Sequence, residues 1–117
     1  MCAFLMDMAV PAVACENTAG LVNAAAGTSF TAGDIRKIGE RLNNIAKLFN
    51  IGAGFTRKDD SFPKRISEPI KAGPSKGLLI SQANLDEMLD EYYEERGWTK
   101  EGVPTEAKLK ELGIKKP

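Results

Sequence analysis

Between Thr31 and Asn50 the apolar residues Ile35, Ile38, Leu42, Ile45, Leu48 and Phe49 recur at spacings of three and four. That spacing lines one face of an α-helix and does not suit a strand, whose faces alternate every second residue. Asp34, Arg36, Lys37, Glu40, Arg41 and Lys47 fall mostly off the stripe. Thr31 stands three residues ahead of Asp34, the spacing of a capping box with the shorter acid. The helix is expected to stop between Asn50 and Gly54, where glycines interrupt it.

The rest of the chain reads the same way. Residues 3 to 10 are apolar on nearly every side and suit a helix buried all round, ended or kinked by Pro11. In "CENTAGLVNAAAG", Asn17 or Thr18 can cap a short helix that stops at Gly27. Ser81 caps another, with Leu85, Met88, Leu89 and Tyr92 as its stripe, acids around them, and Gly97 as its C-cap. A last short helix has Thr105 as N-cap, Leu109 and Leu112 as its apolar face, and Gly113 as its stop. Residues 55 to 80 carry Pro63, Pro69, Pro74, Gly73 and Gly77 and read as loop, with "GLLI" as a short extended piece. A loop of that length in a compact domain is expected to be functional or packed on something. The expected fold is all-α: one multihelical domain over residues 1–117 with a long ordered loop at about 55–80.

Composition excludes several functions. Of 117 residues, 43% are hydrophobic, enough for a core, and 16 basic residues match 16 acidic ones. A neutral chain lacks the basic excess of a nucleic-acid binder, so no nucleic-acid partner is expected. There is no histidine. That removes the commonest general base and metal ligand, and with them a serine triad or a histidine-bearing di-iron site. Cys2 and Cys15 are too few and too far apart for a zinc site, a redox pair or a secreted disulfide framework, so a reducing, cytoplasmic setting is expected. "MCAFLMDMAVPAVAC" lacks a basic leader and is interrupted by Asp7, which argues against a signal peptide or a membrane span.

The residues offer few sites. Asp59 and Asp60, flanked by Arg57 and Lys58, could bind Mg²⁺, Ca²⁺ or phosphate, but neither an EF-hand nor a phosphate-loop spacing is present. A structural, charge-paired loop is the favoured reading, with Arg57 tied to Asp59 or Asp60. Glu91, Glu94 and Glu95 read as a solvated acidic face, and Tyr92, Tyr93 and Trp98 as core and interface aromatics. Cys15 reads as a small buried hydrophobe.

Several stretches in order resemble one family. They are "GLVNAAAGTSFTAGDIRKIGERLNNIAKLFN", then "GFTRKDDSFPKR" with Glu68 and Pro69, then "LDEMLDEYYEERGWTKEGVPTEAKLKELGI". Together they resemble the C-terminal end of tungsten-dependent aldehyde:ferredoxin oxidoreductases. One departure is Gly52, where the family often has arginine. The resemblance implies oxidation of aldehydes to carboxylic acids by tungsten, sometimes molybdenum, held by two pterin dithiolenes. It implies a [4Fe–4S] cluster that passes electrons to ferredoxin.

In that family three cluster cysteines lie in an upstream CxxCxxxC segment, and the fourth ends a D-x-x-G-L-C motif whose acid helps to hold a pterin. "MCAFL" resembles the tail of that motif, which puts Cys2 on the cluster cysteine and Met1 on the leucine beside the pterin. The motif's aspartate and glycine, the other cysteines and the pterin-binding β domain are not in this sequence. The chain therefore reads as a C-terminal piece, from a truncated gene, a split gene or a trimmed polypeptide. Alone, it is expected to carry no cluster, tungsten or activity, to need upstream domains or a subunit bearing them, and to self-associate as a homo-oligomer. The competing reading is a stand-alone helical interaction module that kept the fold and lost the chemistry.

Overall fold

The computed structural model describes residues 14–115. Among them are four α-helices: α1 (Ala14–Ala26), α2 (Ala32–Gly52), α3 (Gln82–Arg96) and α4 (Glu106–Glu111). There are also 3-10 turns at Arg57–Asp59 and Lys64–Ser67. Extended pairing among the described residues is limited to one isolated bridge, Trp98 with Pro104. The all-α expectation holds, and "GLLI" forms no strand. The helix expected over residues 3 to 10 lies outside the described residues. The chain groups into two compact units, Met1–Asn43 and Asn44–Pro117.

In the first unit, α1 begins ahead of the expected caps, so Asn17 and Thr18 lie within the helix. The physical reason is the alanine-rich run, whose helix propensity carries through a polar pair that could otherwise have capped. Gly27 does end the helix, with a positive φ of 66° and its N–H on the Asn23 carbonyl. Asn23 then organises the turn that follows. Its amide donates to the Phe30 carbonyl at 2.9 Å and accepts from the Phe30 N–H at 2.8 Å. The Thr31 box forms as expected: the Thr31 N–H and hydroxyl donate to Asp34 at 2.8 and 2.7 Å, and the Asp34 N–H returns to the hydroxyl at 3.2 Å. These bonds from Thr31 hold the Asp34 carboxyl below its ordinary range.

In the second unit, three helices in succession end by the same device. After α2, the N–H of Phe55 bonds the Asn50 carbonyl and that of Gly54 the Ile51 carbonyl. After α3, Trp98 bonds Tyr93 and Gly97 bonds Glu94; after α4, Ile114 bonds Leu109 and Gly113 bonds Lys110. In each case a glycine with positive φ reverses the chain, which satisfies two carbonyls that the helix leaves open. Ser81 caps α3 as expected and forms a reciprocal box with Asn84. Thr105 caps α4, accepting from the Lys108 N–H at 3.3 Å.

The buried side chains of this unit include Leu85, Tyr93, Leu109 and Leu112. On α3 the core face runs through Leu85 and Tyr93, whereas Met88 and Tyr92 of the expected stripe are 47% and 43% exposed. On α2 the inversion is larger. The buried residue of that helix is Asn44, at 0% exposure, while Leu42, Ile45 and Phe49 of the expected stripe are exposed.

The long loop is ordered by its own backbone. Ile80 N–H bonds the Ile66 carbonyl at 3.2 Å, Ile70 N–H the Leu78 carbonyl at 3.0 Å, and Gly77 N–H the Ile70 carbonyl at 2.9 Å. Its large apolar residues Phe62, Ile66, Ile70, Leu78 and Leu79 nonetheless stay exposed.

Gly102 is the tightest backbone position of the fold. A Cβ there would stand 2.8 Å from Tyr93 Cζ and 2.9 Å from Tyr93 Oη, on a residue with φ +74°. Gly113 has a similar φ, +65°, and open space around it. Gly113→Ala is therefore expected to cost about 1–2 kcal/mol, the left-handed penalty alone. Gly102→Ala is expected to cost clearly more, because Tyr93 must move. Urea denaturation of the two variants side by side checks this; equal losses would mean that Tyr93 is not locked.

Candidate functional site

Polar chemistry gathers around Tyr93, where the 3-10 turn at Arg57–Asp59 meets the C-terminal halves of α2 and α3. Asp60 is the hub. One oxygen of its carboxylate accepts both from Lys47 Nζ on α2 and from the Tyr93 hydroxyl on α3. Burial alone would raise this carboxyl, but the bonds from Lys47 and Tyr93, with the charges of Lys47 and Arg57, hold it below its ordinary 3.8. Burial and the bond to Asp60 push the Tyr93 hydroxyl well above its ordinary range. A phenol held so firmly protonated is a structural donor and no acid–base catalyst near neutrality.

Arg57 forms the second tie. Its NH1 reaches Asp90 Oδ1 at 2.5 Å and the Lys100 carbonyl at 2.6 Å, and its NH2 reaches the Asp86 carbonyl at 3.0 Å. The guanidinium also lies 5.2 Å from the centre of the Tyr93 ring. Trp98 makes the third tie, donating its indole N–H to Asn44 Oδ1 at 2.9 Å. Lys47 Nζ sits 5.7 Å from the Tyr93 ring and 5.5 Å from that of Trp98, so its charge is shared between carboxylate and aromatic faces.

The sequence places the right residues in this loop but pairs them differently. Arg57 bonds Asp90, not Asp59 or Asp60. Asp59 turns back on its own segment, accepting from the Thr56 N–H at 2.8 Å and the Thr56 hydroxyl at 3.1 Å. Adjacent carboxylates with separate jobs do not converge on a cation. Tyr93 and Trp98 join the core cluster with ring centres 5.8 Å apart, whereas Tyr92 packs at its edge and is partly exposed. Glu91, Glu94 and Glu95 are exposed, as expected of a solvated face. Asn44 and Lys47 were missed. Their signal was an acceptor and a cation three apart, off the apolar stripe, with a tryptophan elsewhere in need of a partner.

A cleft of about 680 Å³ opens beside the hub, lined by Ile51, Phe55, Leu89 and Val103, with Lys47 and Arg57 at its polar edge. Lys47 and Arg57 are paired with Asp60 and Asp90, while Lys58, Asp86 and Glu101 also line the cleft. Among the described residues no three His, Cys, Asp or Glu side chains converge to hold a metal. The described thiol is that of Cys15, partly buried. Cys2 and Met1, the positions matched to the cluster and pterin motif, lie outside the described residues. The described donor set, with its one thiol, therefore does not by itself fit an iron–sulfur cluster or a tungsten centre. No helix among the described residues is long and apolar enough to cross a membrane.

The family model for aldehyde ferredoxin oxidoreductase, domains 2 and 3, matches residues 1–114. The chain belongs to the aldehyde ferredoxin oxidoreductase family. It is 49% identical over 96 residues to a tungsten-containing aldehyde ferredoxin oxidoreductase of Pyrococcus furiosus, a match covering 80% of this chain and 15% of that protein. A tungsten-containing aldehyde ferredoxin oxidoreductase of Thermococcus kodakarensis is 46% identical over the same coverage. An aliphatic sulfonate oxidoreductase, WOR-like subunit, of P. furiosus is 34% identical over 68% of this chain and 14% of its own length. The chain thus spans about 15% of the length of the aldehyde ferredoxin oxidoreductases it matches.

Two outcomes test this cluster. Arg57→Ala is expected to lower the melting temperature, and Arg57→Lys to recover only part of the loss, because an ammonium cannot reproduce the fork to Asp90 and two carbonyls. Circular dichroism on heating measures it; unchanged melting would show that the turn at Arg57 is held by other means. The second outcome concerns pH. Asp60 has a depressed folded pKa, so its contribution is complete above the unfolded value near ~3.9 and is lost as pH falls through the lower, folded one. Asp60→Asn is expected to be less stable at pH 7 and to show a shallower decline on acidification. Parallel acid profiles for wild type and variant would remove Asp60 from the hub.

Proposed function

We propose that this chain forms the C-terminal helical part of a tungsten-pterin, iron–sulfur oxidoreductase that converts aldehydes to carboxylic acids. Electrons would leave through a [4Fe–4S] cluster to ferredoxin, and the chain alone would lack catalytic competence. The observation that carries this reading is the family match over residues 1–114, joined to 46–49% identity with tungsten-containing aldehyde ferredoxin oxidoreductases. The lower identity of the sulfonate-acting relative supports aldehyde over sulfonate as substrate class. In this reading Cys2 supplies one thiolate to the cluster and Met1 lies against a pterin. A cluster normally takes four thiolates, so the other three and the tungsten-binding groups come from sequence beyond this chain. The clasp at Asp60, Arg57 and Trp98 keeps the second unit in shape.

A chimera tests the reading. In the P. furiosus relative, the region corresponding to residues 1–114 is replaced by those residues. The chimera is expected to take up tungsten and iron and to reduce ferredoxin with an aldehyde. Cys2→Ser in that chimera is expected to lower its iron content. The 117-residue chain alone, purified without oxygen, is expected to hold neither metal in stoichiometric amount. A soluble, folded chimera without tungsten would overturn the proposal and favour a helical interaction module. Stoichiometric iron or tungsten on the isolated chain would overturn its incompetence.

A further inference from the structure

Within the second unit, the C-terminal half of α2 and the end of the chain enclose a shallow groove. It is lined by Ile45, Leu48, Phe49, Gly52, Ala53 and Ile114. Among the described residues, Lys115 is its single ionisable lining residue. Phe49 is 75% exposed and Ile45 is 49% exposed, so two large apolar side chains stand in solvent beside it.

We infer that this groove is the seat of the remainder of a family-length polypeptide, which would lay an uncharged ridge of aliphatic or aromatic side chains against Phe49. The inference rests on the proposed function and names the partner of this surface. Three observations carry it. First, the match covers only 15% of the P. furiosus relative, so a family-length protein has a large remainder that meets some face of this part. Second, the other side of α2 is already occupied, since Asn44 receives Trp98 and Lys47 receives Asp60. Third, the exposed face of α3 carries Asp86, Glu87, Asp90, Glu91, Glu94 and Glu95. Charged residues are depleted in the cores of interfaces, and aromatic residues are enriched there. The apolar groove is the surface that suits burial, and the acidic one is the surface that suits water.

The groove is also pre-shaped. The paired bonds that end α2 at Gly54 and α4 at Gly113 fix its two walls, so little order is lost on docking.

Two variants test the inference without unfolding the chain. Phe49→Glu removes a side chain that is mostly in solvent and places a charge in the seat. Ile45→Glu places a second charge on the groove at a half-exposed helical position and keeps good helix propensity, so the isolated chain should melt near the wild-type temperature. The P. furiosus relative lacking its matched region is co-expressed with tagged versions of this chain, and the soluble piece retained by the tag is measured. Wild type is expected to retain it, with each variant reducing retention about tenfold or more, as at an interface hot spot. Retention by wild type with equal retention by both variants would overturn the groove while leaving the proposed function standing. No retention by wild type would overturn both. Light scattering that shows wild-type chain paired with itself, and both variants monomeric, would also overturn the inference, because a second copy would then be the occupant.

Discussion

One carboxylate oxygen, on Asp60, joins three segments that are far apart in sequence. It accepts from Lys47 on α2 and Tyr93 on α3, while the residue itself belongs to the turn after Arg57. An unpaired carboxylate at a partly buried position is costly, and so is a buried phenol without an acceptor. Each of the three groups therefore needs the other two. The backbone respects this geometry in an unusual place. Gly102 lies so close to the Tyr93 ring that only hydrogen fits on its α-carbon. The loop from Thr99 to Thr105 then closes through Thr99 N–H on the Val103 carbonyl at 2.8 Å and Thr105 Oγ1 on the Gly97 carbonyl at 2.8 Å.

Much of this was legible in the sequence, and the part that was not has a common physical cause. Helix ends were readable because they are local: Thr31, Ser81, Thr105, Gly97 and Gly113 act on bonds within a few residues of themselves. The all-α class was readable from the spacing of apolar residues. What spacing cannot say is which apolar face is covered by this stretch of chain and which by something else. The α2 stripe is a true helical stripe, yet Asn44 on another face of the helix is the buried residue. The same limit explains the exchange of partners in the loop. Arg57 reaches Asp90 and Asp60 reaches Lys47, choices made by packing across more than ten residues, where local spacing carries no information.

The α2 helix carries an exposed apolar stripe and a buried polar residue on different faces. Under the proposed function they are consistent parts of a larger assembly. The polar side is specified internally, by hydrogen bonds that demand particular partners. In that reading the apolar side is left for non-directional burial, which tolerates a partner fitted later. The division also separates two kinds of work. Directional bonds set the shape of this unit, and area removed from water would attach it.

Arg57 donates to two main-chain carbonyl oxygens and to one carboxylate. A carbonyl is offered by every residue, so the clasp makes no demand on the side chain at position 100 and none, through this bond, on that at 86. The two carbonyl bonds would survive a change of side chain at either position, whereas they need the arginine fork. A covariation search between Arg57 and position 100 would thus find no signal for a contact that exists. The strongest ties in this fold are, in part, invisible to comparison of side chains and are written only in the path of the backbone.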